Sequence, residues 1–314
     1  MSPTMAADEN EFVIDAEGLT KSFGNRTVVR DLTIRVRRGR IFGFLGANGS
    51  GKTTTIRMLA GLLRPDAGRG TCLGYDITTQ TEMLKRHVGY MTQHFSLYTD
   101  LSIRQNLEFV ARVHELPHPR RQARAAIERL GLAGREDQLA GALSGGWKQR
   151  LALSACILPG PELLLLDEPT AGVDPKARRD FWNNIHDLAA EGMTVLVSTH
   201  YMDEAERCHE LAYLSAGQIL TRGTAQEVIE NSHLTTWTVS GPDLSELAKR
   251  IKTLPGIESV TPFGTTLHVS GTDAARIEKS ISGLLDGPQK WERAEVTLED
   301  VFIHMMGVAG DGEA

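Results

Sequence analysis

A glycine-rich run constrains this chain more than any other feature of its sequence. Residues 46–53 read GANGSGKT, which fits the pattern G-x-x-x-x-G-K-[ST], and they lie between the apolar run IFGFL and the helical pattern TTTIRML. In this pattern the glycines let backbone N–H groups surround phosphate oxygens at the positive end of a helix. A chance glycine-rich turn is the alternative, but the flanking strand and helix patterns favour a phosphate-binding loop.

Two side chains of this loop have the chemistry that a nucleoside triphosphate and its metal require. Lys52 would reach the β- and γ-phosphates, and the hydroxyl of Thr53 would be a ligand of Mg²⁺. The loop therefore predicts a nucleoside triphosphate and Mg²⁺ as cofactors. The loop residues expected to bind the nucleotide are Gly46, Ala47, Asn48, Gly49, Ser50, Gly51, Lys52, Thr53 and Thr54.

A second apolar run ends in two carboxylates. Residues 163–168 read LLLLDE, which is typical of a strand that is buried on both faces. If this strand ends beside the phosphate-binding loop, Asp167 holds Mg²⁺ and Glu168 orients or deprotonates the attacking water. A core strand that runs into an acidic turn is the alternative, and the presence of the glycine-rich loop favours the catalytic interpretation.

The first two thirds of the chain have the pattern of an α/β fold. Residues 14–230 alternate short apolar runs with helical stripes, which predicts a parallel sheet with crossover helices. Residues 94–158 are mainly helical, so we expect a helical subdomain inserted into a P-loop NTPase fold. The predicted ATPase domain covers residues 12–230 and follows an N-terminal tail over residues 1–11.

The pattern changes after about residue 230. Alternating runs at Trp237/Val239, at Leu267/Val269 and at Ala294/Val296/Leu298 predict strands, and two amphipathic helices lie between them. The resulting order β-α-β-β-α-β predicts a small α+β domain of the ferredoxin-like type. We expect this accessory or regulatory domain over residues 234–314.

Composition excludes several classes of protein. The 314 residues include 34 Lys or Arg and 40 Asp or Glu, and the net charge of −6 argues against a general nucleic-acid binder. The three cysteines are odd in number and far apart, which indicates a reducing compartment. The sequence shows neither an apolar run long enough to span a bilayer nor the apolar segment of a signal peptide. We therefore expect a cytosolic protein that depends on another polypeptide for any passage across a membrane.

A third motif lies between the phosphate-binding loop and the acidic strand. Residues 143–150 read LSGGWKQR, shortly before the acidic strand, and they open a helical pattern. With the other two motifs in this order, the chain resembles an ATP-binding cassette (ABC) ATPase over roughly residues 12–230. The resemblance implies that Ser144, Gly145 and Gly146 cap the γ-phosphate of ATP held by a second subunit. A local helix N-cap would explain the serine but not its place among the motifs.

The same resemblance implies roles for two residues at strand ends. Gln93, in YMTQH, fits the loop residue that meets Mg²⁺ and water and responds to the permease; a surface glutamine is the alternative. His200, at the end of VLVSTH, fits the switch histidine of the γ-phosphate; a capping histidine is the alternative. The implied catalytic residues are Glu168, His200 and Gln93, and the implied Mg²⁺ ligands are Thr53, Gln93 and Asp167.

Two further residues are assigned by resemblance alone, and one departs from the family. Asp174, in AGVDP, fits the loop that crosses the dimer, and a helix N-cap is its alternative or additional role. Phe23 fits the aromatic residue that stacks on adenine, since Phe42 and Phe44 are better explained as strand core. Trp147 departs from the family, which most often has glutamine at this position, so the contacts of this side chain stay open.

One chain carries only one set of motifs. In the family, the motif that residues 143–150 resemble is the signature motif, and the signature motif of one cassette completes the site of another. The resemblance therefore implies a head-to-tail dimer, most simply a homodimer. The span between Lys52 and Ser144 leaves no room for the long coiled coil of DNA-repair or chromosome ATPases, and translation-type proteins usually carry two cassettes. The class that remains is the ATPase subunit of a membrane transporter, bound to a separate permease at the cytoplasmic face.

Two segments favour export. THYMDEAERC at 199–208 and VTLEDVFIHMMG at 296–307 resemble the ABC-2 group, which includes drug, lipid and polysaccharide exporters. Importer ATPases more often carry a C-terminal β-barrel, which the two helical stripes oppose. An importer ATPase and a soluble non-transport ABC ATPase are the alternatives. The segment 94–98 is expected to receive a permease helix, unless it only packs within the helical subdomain.

Overall fold

The computed structural model of the chain describes residues 12–310. The chain divides into two compact units, residues 1–221 and residues 222–314. The sequence placed this boundary near residue 230, and the division falls before Arg222. The predicted tail over residues 1–11 lies outside the described residues.

The first unit contains strands on two sheets and a set of connecting helices. Its strands are β1 (Phe12–Phe23), β2 (Arg26–Arg37), β3 (Ile41–Leu45), β4 (Ala67–Cys72), β5 (Tyr75–Asp76), β6 (Val88–Met91), β7 (Leu163–Asp167), β8 (Thr194–Thr199), β9 (Glu210–Ser215) and β10 (Gln218–Gly223). Its helices are α1 (Lys52–Leu59), α2 (Thr81–His87), α3 (Ile103–Val113), α4 (Pro119–Arg129), α5 (Gly145–Ile157), α6 (Pro175–Ala190) and α7 (Met202–Ala205).

The predicted parallel sheet is confirmed. Six strands lie in the order β10-β9-β3-β8-β7-β6, and β3 runs parallel to β8 and β9, as β7 does to β6 and β8. All residues of β3, β7 and β8 are buried, which explains their continuous apolar runs. Because the strands are parallel, the segments that follow β3, β7 and β8 meet at one edge, where open α/β sheets bind ligands.

A second sheet of the first unit was not predicted. Strands β2, β1, β4 and β5 form a four-stranded sheet whose neighbours are antiparallel. The inward side chains of β2, Val29 and Ile34 among them, share one core with α1 and with Phe42 and Phe44 of β3. These two phenylalanines are 3% and 0% exposed and belong to the strand core.

Three helices lie between β6 and β7 and have a core of their own. Helices α3, α4 and α5 bury Ile103, Leu107, Ile127 and Leu151 in one cluster. Helix α3 begins with a capping box, in which Ser102 and Gln105 cap each other's backbone N–H groups. The last of the three helices, α5, begins at Gly145 and so carries the motif LSGGWKQR at its start.

The second unit follows the predicted order of elements. Its strands are β11 (Thr235–Ser240), β12 (Ser259–Phe263), β13 (Thr266–Gly271) and β14 (Lys290–Ala294), and its helices are α8 (Ala225–Ser232), α9 (Leu244–Ile251), α10 (Ala274–Ile281) and α11 (Leu298–Gly310). The sheet order is β12-β13-β11-β14, with antiparallel neighbours throughout. None of the helices within residues 12–310 is long and apolar enough to span a membrane.

One strand prediction in this unit is wrong. The alternation Ala294/Val296/Leu298 suggested a strand, but β14 ends at Ala294 and Leu298 is the first residue of α11. The cause is a helix cap: the Thr297 hydroxyl accepts the Asp300 N–H at 3.2 Å, and a carboxylate oxygen of Asp300 accepts the Thr297 N–H at 2.9 Å. A reciprocal cap of this kind starts a helix whatever the local alternation.

Candidate active site

The phosphate-binding loop joins β3 to α1, and two of its glycines cannot be replaced without a clash. A Cβ atom at Gly46 would lie 2.3 Å from the carbonyl oxygen of Leu214, and one at Gly51 would lie 2.8 Å from that of Val28. Gly51 also has φ of +107° and is the N-cap of α1. The backbone therefore turns tightly enough to direct the first N–H groups of α1 into the cleft, where anions are favoured.

Lys52 is held at the mouth of this loop. Its side chain is 3% exposed, and its Nζ donates to the carbonyl oxygens of Gly46 at 2.7 Å and Ala47 at 3.1 Å. The same Nζ lies 3.2 Å from Oε1 of Glu168. A buried ammonium needs such partners, and its predicted contact with the β- and γ-phosphates stays a prediction.

Oxygen atoms of the kind that Mg²⁺ binds lie beside the loop. Thr53 Oγ1 donates to Asp167 Oδ1 at 3.0 Å, and Ser198 Oγ donates to the same oxygen at 2.8 Å. Hydroxyl and carboxylate oxygens suit Mg²⁺, which also keeps several waters. Among residues 12–310 no group of three His, Cys, Asp or Glu side chains could hold a metal ion. The assignment of Thr53, Gln93 and Asp167 as ligands stays a prediction, in which phosphate and water oxygens would complete the coordination.

Glu168 lies at the centre of the predicted catalytic residues. Its side chain is 8% exposed, with Oε1 beside Lys52 and with Oε2 accepting from Gln93 Nε2 at 3.2 Å. The Nδ1 atom of His200 lies 3.3 Å from the same Oε2, without the alignment of a hydrogen bond. Glu168 has φ of +46°, an unfavourable value for a residue with a side chain, and strain of this kind is concentrated at functional sites.

Ser198 was missed in the sequence. It is fully buried in β8, donates to Asp167 Oδ1 and accepts the backbone N–H of Glu168 at 2.9 Å. One hydroxyl thus fixes both carboxylate-bearing residues at the end of β7. A single polar residue near the end of the apolar run VLVSTH is the signal that could have identified it.

The phosphate-binding loop, Gln93 and Glu168 line a polar cleft of about 350 Å³. Phe23, at the end of β1, is 53% exposed and does not line it, whereas Val28 does. Adenine stacking on Phe23 therefore remains a prediction. The residues that line the cleft are Val28, Asn48, Gly49, Gly51, Lys52, Thr53, Thr54, Gln93 and Glu168.

The signature residues line a different cleft of about 220 Å³, together with Asp174. Ser144 is the N-cap residue of α5, but its side chain makes no capping hydrogen bond. Asp174 is a true N-cap of α6, since its Oδ1 accepts the N–H groups of Lys176 and Ala177 at 3.1 and 3.0 Å. The structure therefore brings together the loop, Asp167, Glu168, Gln93 and His200 but not the predicted residues of the second subunit's site.

Trp147, the departure in the signature motif, contacts two arginines through its ring. The guanidinium groups of Arg135 and Arg150 lie 4.4 and 5.2 Å from the centre of its ring. Arg150 is also paired with Asp180 at 3.0 Å. Cation–π contacts of this kind hold the ring and give this side chain contacts within its own chain.

Comparison with known proteins identifies the class that this fold and cleft define. A family model for ABC transporters matches residues 29–171. The chain is 35% identical over 304 residues to the daunorubicin resistance ATP-binding protein DrrA3 of Streptomyces coeruleorubidus, a match that covers 94% of this chain and 96% of that protein. It is also 35% identical to the Nod factor export ATP-binding protein I of Ralstonia nicotianae, over 94% of each chain. The chain belongs to the ATP-binding proteins of ABC transporters, and it is an ATPase that uses ATP with Mg²⁺.

Two further known proteins are similar to this chain over about 70% of its length. The probable multidrug ABC transporter ATP-binding protein YbhF of Escherichia coli is 40% identical over 227 residues, which are 72% of this chain and 39% of that protein. A solved ATP-binding subunit of an ABC transporter superposes with a TM-score of 0.63 at 27% identity, over 70% of this chain and 92% of the other. The cassette fold is therefore shared, whereas this chain spans well under half of YbhF.

Proposed function

We propose that this chain is the ATP-hydrolysing subunit of an ABC-2-type exporter, in the drug, lipid or polysaccharide class. The observation that supports export is the match along nearly the whole chain, C-terminal unit included, to relatives named for daunorubicin resistance and Nod factor export. The subunit would act at the cytoplasmic face of the membrane on a separate permease.

The chemistry of the proposed site follows from the positions of its side chains. Lys52 and the N–H groups of α1 would neutralise the phosphates, while Thr53 and Asp167 would hold Mg²⁺, which adds positive charge when bound. The Glu168 carboxylate would orient or deprotonate the attacking water, and Gln93 and His200, on either side of its Oε2, would fix its direction. The proton would pass from water to Glu168.

We also propose that two copies of the chain form the active unit. The P-loop residues and the signature residues line two separate clefts of one chain, so neither cleft alone has all the predicted contacts to ATP. A head-to-tail homodimer would place Ser144 and the N–H groups of Gly145 and Gly146 of each copy over the ATP of the other. Closing of the dimer on ATP would drive the permease, and hydrolysis would reset it.

The permease is proposed to dock next to Gln93. A groove of about 190 Å³ lies between residues 88–97 and helix α5, and Phe95 and Leu97 line it. Phe95 and Leu97 are only half-buried against the core of the helical insertion, so their free sides offer apolar surface to a permease helix. Because this segment follows Gln93 directly, a shift of the permease helix would reach the Glu168 contact.

Transport by vesicles tests this function. The chain should copurify in fixed stoichiometry with a multispan protein from detergent-solubilised membranes, and inside-out vesicles that contain both should accumulate exported compounds when ATP is added. Labelled drugs, lipids and polysaccharides are the panel to be assayed, with Glu168→Gln vesicles as the matched control. Accumulation by right-side-out vesicles instead would indicate an importer, and stable association with ribosomes would indicate a soluble ABC ATPase.

A further inference from the structure

A buried carboxylate outside the predicted site joins two of its loops. Glu204, in α7, is 0% exposed. Its Oε1 accepts the hydroxyl of Thr170 at 2.5 Å, and its Oε2 accepts that of Thr199 at 2.6 Å. Thr170 lies two residues after Glu168, and Thr199 directly precedes His200. One side chain therefore holds both the loop that follows β7 and the loop that follows β8.

An arginine adds a second contact between Glu204 and the histidine. Arg178 Nε lies 3.5 Å from Glu204 Oε1, and the guanidinium group stacks on the ring of Tyr201 at 3.9 Å from its centre. The Tyr201 ring in turn contacts the ring of His200, with centroids 4.1 Å apart. The backbone N–H of Tyr201 also donates to the Thr199 hydroxyl at 3.0 Å. The position of the imidazole is thus fixed through Tyr201 as well as through the backbone.

The chemistry of these contacts favours a positioning role over simple packing. A buried carboxylate loses its hydration, and such a charge is often no more stabilising than an apolar residue of similar volume. The charge is useful here for direction, since an ionised carboxylate accepts short, strong hydrogen bonds from two hydroxyls at once. Both hydroxyls belong to segments that carry proposed catalytic residues.

We propose that Glu204 is a positioning residue for ATP hydrolysis, which holds the loops after β7 and β8 so that the His200 ring faces the Glu168 carboxylate. This inference rests on the proposed roles of Glu168 and His200. Arg178 lies one turn after Asp174, the N-cap of α6. Movement of the proposed dimer-crossing segment would therefore reach His200 through Arg178 and Tyr201.

The variant Glu204→Gln tests the proposal, since it keeps the volume and removes the charge. We expect kcat for ATP hydrolysis to fall by about 10- to 100-fold, the loss that a small misplacement of catalytic groups causes, whereas KM for ATP stays within about twofold because no phosphate contact changes. The control is Glu206→Gln, an exposed position two residues along, which should leave both constants unchanged. Unchanged kcat in a folded Glu204→Gln protein would overturn the proposal.

A double-mutant cycle with His200→Ala separates this role from a general loss of order. If Glu204 acts through His200, then Glu204→Gln costs little further activity in the His200→Ala protein. Fully additive losses would overturn the inference while leaving the role of His200 intact. Normal turnover in His200→Ala alone would refute the role of His200 and this inference with it.

A second variant keeps the test valid if Glu204→Gln does not fold. Arg178→Lys keeps a positive charge near Glu204 and removes the planar group that stacks on Tyr201. It should lower kcat in the same direction, without a change in KM and without a loss of thermal stability. A folded Arg178→Lys protein with the kcat of the wild type would contradict the proposed contact through Tyr201.

Discussion

At the scale of single residues, Glu168 connects the parts of the proposed site. Its carboxylate contacts the Nζ of Lys52 through one oxygen, and the other oxygen faces Gln93 and His200. Its backbone has a left-handed conformation, and its N–H donates to Ser198. A side chain held by this many contacts has one direction, which is what a general base aimed at a single water requires.

Replacement of this carboxylate should stop turnover without loss of the nucleotide. In Glu168→Gln the side chain keeps its volume but no longer accepts a proton, so we expect hydrolysis to fall by about 100-fold or more. ATP should still bind, because Lys52 and the loop N–H groups are unchanged, and light scattering should show a dimer that persists with ATP and Mg²⁺. The control is Glu162→Gln, an exposed position directly before β7. Normal hydrolysis in Glu168→Gln would contradict its proposed role.

The cysteines give a second prediction at this scale. Burial raises the pKa of the Cys72 and Cys156 thiols to about 12, and burial also raises that of Cys208. A raised pKa keeps a thiol protonated at pH 8, and only the thiolate reacts readily. Iodoacetamide should therefore label the folded protein slowly at pH 8 and label all three cysteines quickly in denaturant. Rapid labelling of the native protein, counted by mass spectrometry, would contradict this.

At the scale of elements, the parallel strands were predictable and the antiparallel sheet was not. The strands β3, β7 and β8 are buried on both faces, so their apolar runs indicate strands directly. In β1 the buried residues do not alternate, since Val13 and Ile14 are both buried, and in β4 only Cys72 is buried. Irregular pairing with several bulges interrupts the alternation of β1. A bulge shifts the register and so weakens the period-two pattern of a strand. The sequence pattern therefore did not reveal these strands, which form through tertiary contacts.

The sequence also failed to identify those site residues whose partners are distant along the chain. The phosphate-binding loop and the acidic pair at the end of β7 are local motifs, and their residues follow from the printed sequence. Ser198 and Glu204 act through partners that are distant along the chain, Ser198 on Asp167 and Glu204 on Thr170. A hydroxyl or carboxylate that is buried needs a partner, but the sequence does not show which residue that partner is.

A turn of the first unit carries a prediction that depends on pH. Asp76 Oδ1 accepts the N–H and hydroxyl groups of Thr78 and Thr79, and the hydrogen bonds, that of the Thr78 side chain first, lower the pKa of Asp76 to about 2. Because the folded-state pKa is depressed, this carboxylate stabilises the fold above its ordinary pKa. The contribution is lost as pH falls toward 2.

We therefore expect Asp76→Ala to lower the free energy of unfolding by about 1 kcal/mol at pH 7. The difference from the wild type should shrink between pH 4 and pH 3, because part of the carboxylate's contribution is then lost in the wild type too. Urea unfolding at several pH values measures both, with Asp187→Ala, an exposed position on α6, as the control. A destabilisation that is the same at pH 7 and pH 3 would contradict the assigned cause.

At the scale of the whole molecule, the net charge does not determine whether the chain can bind an anionic nucleotide. The net charge of −6 would not prevent the chain from binding a polyanion, because in the proposed site a few oriented N–H groups, Lys52 and Mg²⁺ would bind the phosphates. The sequence also predicted two units and the order of elements in the second, since helix and strand patterns there are regular.

The proposed homodimer can be tested by complementation between two damaged chains. Lys52→Ala removes the phosphate contact of a chain's own cleft, and Ser144→Arg blocks the contribution to the partner's cleft, so each homodimer should be inactive. In a mixed dimer one composite site carries both changes, and the other combines an intact Lys52 with an intact Ser144. Hydrolysis should therefore return to about a quarter of the wild-type level when the chains mix at random, if the two sites act independently.

A mixture of Lys52→Ala and Thr53→Ala chains, in which every cleft is damaged, is the matched control and should stay inactive. If the first mixture also stays inactive although both chains are folded and exchange, Lys52 and Ser144 do not act across a pair of these chains.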